Sequence, residues 1–240
     1  MITGLDHVAV AVADVPAAAD GYRRLLGREP DAEGRFQLAN TALRLIPGEA
    51  EGLVRLGFAV DDLDAAARLL ERRGLSVERA DGETLVRAAG LIFSLHAATA
   101  AITVTPAPAG VDALDHVVVH TPNPDRALAV FGAKLGLDLR LDRENLRWNA
   151  RQLFFRCGQA VVEVGARLAV PPTDDPDSFG GLAWRVYDAE AARARLTAAG
   201  FDVSEVRTGR KPGTKVFTVR DAPAGIPTLM LQPSPALEPA

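Results

Sequence analysis

The chain repeats itself, and a repeat at this spacing limits the fold to copies of one unit. Gly4–Gly27 aligns without gaps on Ala113–Gly136 at an offset of 109, matching Leu5, Asp6, His7, Val8 and Val10 with Leu114, Asp115, His116, Val117 and Val119. Leu56–Val77 aligns on Leu182–Val203 at an offset of 126, pairing Asp62 with Asp188, Leu70 with Leu196 and Gly74 with Gly200. The second copy therefore carries 17 more residues between its halves. Thr103–Gly110 is rich in Pro, Ala and Gly and reads as a connection. The expected organisation is a first domain at 1–104, a linker at 105–112 and a second domain at 113–235.

Each copy repeats a smaller pattern. Leu5–Val12 is apolar and β-branched, hence a strand. Pro16–Leu26 has helical spacing and stops at Gly27, a residue suited to the left-handed closing turn. Short strands follow, and the order recurs with a strand at Leu53–Val60 and a helix from Leu63 to Arg73 closed by Gly74. Asp14 and Asp62 are the expected N-caps. The fold class is α+β: two tandem domains, each of paired βαβββ modules forming a curled mixed sheet with helices on the outer face. The other face of such a sheet makes a cup for a ligand.

Composition removes several functions. Cys157 is the only cysteine, which excludes an internal disulfide or a thiolate zinc cage within one chain. Net charge is −4 with both signs interspersed, so no basic face marks a nucleic-acid partner. No apolar run approaches the roughly 20 residues of a membrane span. The N-terminus enters strand-like sequence at once, without a basic leader, so the expected location is cytoplasmic. The partners expected are a small molecule and a second copy in a homodimer.

Strand alternation selects the residues that face the cup. Val117 and Val119 belong to one face of Leu114–Thr121; His116, Val118 and His120 belong to the other. Glu163 sits in Ala160–Gly165, an apolar strand where a carboxylate needs a partner or a metal. Arg151, Arg156 or Arg185 could supply an ordinary ion pair. Trp148 and Trp184 could stack on a flat ligand or fill the core. Arg185 could hold a substrate carboxylate or pair with Glu163. His96 reads as a surface or satisfied residue, and Cys157 as a small buried hydrophobe.

Leu-Asp-His at the head of the first strand, a helix ending in Leu-Gly, and Val-Val-Glu-Val at 161–164 resemble the vicinal oxygen chelate superfamily, which comprises glyoxalases, bleomycin resistance proteins and extradiol dioxygenases. The resemblance runs from Leu5 to Gln232 and implies a divalent metal (Zn, Fe, Mn or Ni) held at four positions, chelating two neighbouring substrate oxygens. His116 fills the first position and Glu163 the second, so the resemblance makes them catalytic residues and metal ligands. The third falls at about Gly181 and the fourth in Thr228–Leu231, where no carboxylate exists. In the first copy His7 fits, while the other positions fall near Leu45, Arg55 and Ser94. His120 could replace a missing ligand, but i and i+4 on a strand lie roughly 13 Å apart. The incomplete set favours an absent or weak metal and a first domain that serves as scaffold. The implied function is binding of a small oxygenated metabolite, with metal-assisted lyase, isomerase or dioxygenase chemistry; the alternative is metal-free sequestration of the bleomycin-resistance type. Substrate-binding candidates are Arg185, Trp148, Trp184 and His120.

Overall fold

The computed structural model describes residues 1–80, 82–99 and 109–234; residues 105–108 of the expected linker lie outside the described residues. The first repeat supplies strands β1 (Ile2–Val12), β2 (Arg35–Gln37), β3 (Ala42–Pro47), β4 (Gly52–Val60), β5 (Ser76–Ala80), β6 (Glu83–Ala88) and β7 (Leu91–Ala97), with helices α1 (Val15–Leu26) and α2 (Leu63–Arg72). The second supplies β8 (Val111–His120), β9 (Asp138–Asn145), β10 (Ala150–Cys157), β11 (Ala160–Arg167), β12 (Ser178–Val186), β13 (Arg207–Thr208), β14 (Lys215–Val219) and β15 (Thr228–Gln232), with helices α3 (Pro124–Ala127) and α4 (Ala189–Ala198). Hydrogen bonding orders one open sheet as β2-β3-β1-β4-β7-β6-β5 and the other as β13-β14-β15-β12-β8-β11-β10-β9. Both sheets are mixed: β4–β7, β8–β11 and β12–β15 run parallel, whereas β10–β11 and β6–β7 run antiparallel. This is the α+β architecture expected from the repeats.

The helix ends follow the local chemistry. The Asp14 and Asp62 carboxylates accept from the amides of Ala17 and Ala65, and Asp188 does the same for Glu190 and Ala191. Gly27 closes α1 at φ 66°, a conformation that a Cβ would strain. One helix departs from the pattern. After the short α3, Leu128–Lys134 winds as a π-helix, and this wider turn buries Val130 and Phe131.

By contacts the chain forms two compact units, and each draws on both repeats. The first comprises Met1–Ala9, Val54–Ala100 and His116–Gly180; the second comprises Val10–Leu53, Ala101–Asp115 and Gly181–Ala240. In the first unit Phe58, Phe93, Phe131 and Phe155 form a continuous run of ring contacts, tilted and edge-on, at centroid distances of 5.3, 6.0 and 5.5 Å. Val117, Val119, Val162 and Val164 bury alongside it. The same unit encloses an ionic network in which Asp177, with no exposed side-chain surface, accepts from Thr121 at 2.6 Å and Arg126 at 2.7 Å. In the second unit Tyr22 packs on Phe36 and donates to the Pro223 carbonyl at 3.3 Å, while Trp184 and Met230 are wholly buried.

Candidate functional site

The parallel register of β8 on β11 sets His116 beside Val161, Val118 beside Glu163 and His120 beside Gly165. On the other side of β11, Phe154 lies opposite Glu163 and Gln152 opposite Gly165. Alternation then brings His116, Glu163, Phe154 and Gln152 to one face, while the valines between them go to the core. The His116 Nε2 lies 3.4 Å from Glu163 Oε2, and their side chains are 16% and 14% exposed. The pair is thus shielded but open to a ligand.

Two residues extend this pair. Gln152 Nε2 donates to Glu163 Oε1 at 2.5 Å, and Arg143 donates to Gln152 Oε1 at 3.0 and 3.3 Å. Arg143 also sits 5.4 Å over the Phe154 ring. The chain Arg143–Gln152–Glu163–His116 fixes one carboxylate oxygen and turns the other to the imidazole. An imidazole and a carboxylate in this arrangement can hold and pass a proton. Gln152 is a residue that sequence reasoning missed. Its signal was an amide opening the apolar run Gln152–Phe155, on the same face as Phe154.

The arginines expected as ordinary partners of Glu163 bond elsewhere. Arg151 points to the opposite face of β10 and binds Asp125 at 3.0 Å and Asp142 at 2.8 Å; its hydrogen bonds hold the Asp142 carboxyl below the usual carboxylate range. Arg156 donates to the Gly158 carbonyl at 3.1 Å, and Arg185 to the Leu114 carbonyl at 3.2 Å with Asp115 at 3.8 Å. Trp184 is buried in the second unit's core, whereas Trp148 is 47% exposed just after β9. His120 is exposed at the end of β8. A hollow of about 450 Å³ lies between Ile2–Thr3 and Gly136–Asp138 and is lined by Cys157, but neither His116 nor Glu163 borders it.

A four-ligand metal centre does not fit the second sheet. A Cβ at Gly181 would stand 2.5 Å from the Pro227 carbonyl oxygen, and one at Gly180 would stand 2.5 Å from His120 Nε2. The third position is therefore closed by its neighbours, beyond simply lacking a donor. At the fourth, Thr228 is buried and donates to the Ile226 carbonyl at 2.8 Å, and Met230 is wholly buried. His116 and Glu163 remain, one short of the three protein ligands that a catalytic zinc centre uses.

His96 is a satisfied residue, one of the two readings expected of it. It is half-buried, bonded to Ser94 Oγ at 2.9 Å, and its ring meets that of His7 at 4.8 Å. His7 is 3% exposed and binds Asp6 at 2.8 Å.

Comparison with known proteins bears on the fold. Residues 115–218 match the Glyoxalase/Bleomycin resistance protein/Dioxygenase superfamily. No curated protein matches the sequence. Among solved structures, 2,2',3-trihydroxybiphenyl 1,2-dioxygenase from the dibenzofuran-degrading Sphingomonas wittichii strain RW1 is 20% identical with a TM-score of 0.70, covering 97% of this chain and 91% of that one. The Mn(II)-bound glyoxalase from Novosphingobium aromaticivorans is 19% identical with a TM-score of 0.71, covering 96% and 82%. A halotolerant catechol dioxygenase is 12% identical with a TM-score of 0.72, covering 97% and 87%. The chain has the two-domain vicinal oxygen chelate fold, and its second half carries the superfamily's sequence pattern. Among the described residues no helix is long and apolar enough to cross a membrane.

Proposed function

We propose that this chain is a glyoxalase-like protein that takes a small oxygenated metabolite against the His116–Glu163 face and moves a proton on it. The 3.4 Å approach of His116 Nε2 to Glu163 Oε2 carries the reading. Glu163 is the base, held by Gln152, and His116 receives or returns the proton. Phe154 offers an apolar wall beside the pair. Trp148 and His120 are rim contacts. The second domain, 113–235, carries this activity, with 1–104 as its partner domain and 105–112 as the linker; the protein works in the cytoplasm as a homodimer. Fold likeness supports the ligand class only coarsely, because one frame hosts several chemistries.

A second reading is metal-free sequestration of the bleomycin-resistance type, and the closed third position at Gly180 and Gly181 favours it. One experiment separates the two. The purified chain is screened by thermal shift against small metabolites with neighbouring oxygens, and each hit is followed for turnover with and without added divalent metal. Turnover lost in both His116→Ala and Glu163→Gln supports the enzyme. Tight binding with no turnover supports sequestration, and binding unaffected by either substitution removes both readings.

A further inference from the structure

We propose that Asp6, His7 and His96 form a binding site for a divalent transition-metal ion, in the first sheet and separate from the His116–Glu163 pair. Two of the three positions, Asp6 and His96, are not ones that the superfamily resemblance assigns to a metal. Asp6, His7 and His96 each present one donor atom, all within 4.8 Å of one another, and no other group of this kind occurs among the described residues. Asp6 Oδ2 and His7 Nδ1 are 2.8 Å apart. Donors bound at about 2.0–2.2 Å to one tetrahedral ion stand roughly 3.3–3.6 Å apart, so small shifts of the Asp6 carboxylate and the half-buried His96 ring bring the set to that spacing.

The surroundings are built for a ring at this place. His7 is 3% exposed, yet its Nε2 is buried without a hydrogen-bond partner. That nitrogen lies across the ring from Nδ1, the donor beside Asp6, so an ion held at Nδ1 leaves the ring's remaining proton on Nε2. Gly57 faces the ring, and a Cβ there would overlap it, so the neighbouring strand keeps room for the imidazole. Ser94, wholly buried, bonds His96 Nε2 and fixes that ring's orientation, as outer partners do around metal-bound histidines. Asp6 is 26% exposed on its side chain, which gives an ion a path inward. Two imidazoles and one carboxylate suit Zn²⁺, Co²⁺ or Fe²⁺ and leave coordination positions open.

The test is a Co²⁺ titration of the full chain after dialysis against chelator, read by visible absorption and by the shift in thermal midpoint. The site predicts one equivalent of Co²⁺ bound by the wild type and equally by His116→Ala. His96→Ala abolishes it, and Asp6→Asn weakens it by roughly ten-fold or more. The metal-free midpoints of the two variants establish that they fold, and should His96→Ala fail to fold, Asp6→Asn decides alone. Failure of the wild type to bind Co²⁺ overturns the site. So does binding that survives His96→Ala and Asp6→Asn but disappears in His116→Ala. Because His116 stands outside the proposed set, the result is independent of the function assigned to the His116–Glu163 pair.

Discussion

The tripeptide Leu-Asp-His occurs at 5–7 and again at 114–116, and the two copies use it differently. At the first, Asp6 turns to its own neighbour and binds His7, whose second partner in space, His96, arrives on β7. At the second, Asp115 lies 3.8 Å from Arg185, and His116 meets Glu163 from β11, the strand directly beside it. A repeated motif thus conserves the strand and the direction of the imidazole without conserving what the imidazole meets. In the second copy the partner comes from the adjacent strand; in the first, Gly57 on β4 leaves room for His7 to meet His96 on β7, the strand beyond.

Four experiments would break or sharpen this contrast. Once a substrate is found, His116→Ala should lower kcat/KM by about 10²–10⁴, the usual worth of a positioned acid–base group. Steady-state rates equal to wild type would dissolve the distinction between the two copies. Next come three glycines with close neighbours in the two sheets. Gly181→Ala meets a backbone carbonyl and Gly57→Ala meets the buried His7 ring, so each should cost about 1–3 kcal/mol. Gly180→Ala should cost less, because the exposed His120 ring can swing away. Denaturant midpoints will rank the three, and an unperturbed Gly181→Ala would mean that the third position is open after all.

Gln152→Ala should act more weakly than Glu163→Gln, since it removes a bond worth about 0.5–1.5 kcal/mol net and spares the carboxylate. Its mark is a displaced pH–rate profile, and an unmoved profile would show that Gln152 merely packs. The smallest effect is expected at Cys157. Burial pushes its thiol up to about 12, so it stays protonated at pH 8 and resists thiol reagents until the chain unfolds. Rapid labelling of the native protein would show that the hollow beside Cys157 opens, making it a rival to the His116 face.

Much of the fold was legible because its signals are local. Asp14, Asp62 and Gly27 cap helices where their chemistry requires, and the alternation of Val117 and Val119 with His116 predicted the face that meets Glu163. What escaped notice depends on register between distant segments. Gln152 reaches Glu163 only because β10 pairs antiparallel with β11 at one particular offset. Asp6 and His7 are consecutive in a strand, where alternation sends them apart, and His96 joins them from 89 positions further along the chain. The π-helical turn at Leu128–Lys134 has no periodic cue, and Asp177 lies in a Pro- and Asp-rich stretch, yet its side chain is completely buried. Contacts also cut across the repeats, so residues of both copies share each compact unit.

The central claim is that His116 and Glu163 act on a ligand as one unit. A double-mutant cycle measures this directly: the affinity of the first screened ligand for wild type, His116→Ala, Glu163→Gln and the double variant, each by calorimetry. The account predicts that either single change weakens binding and that the pair is non-additive by at least about 0.5 kcal/mol. Strictly additive losses, or single variants that bind as tightly as wild type, would contradict it.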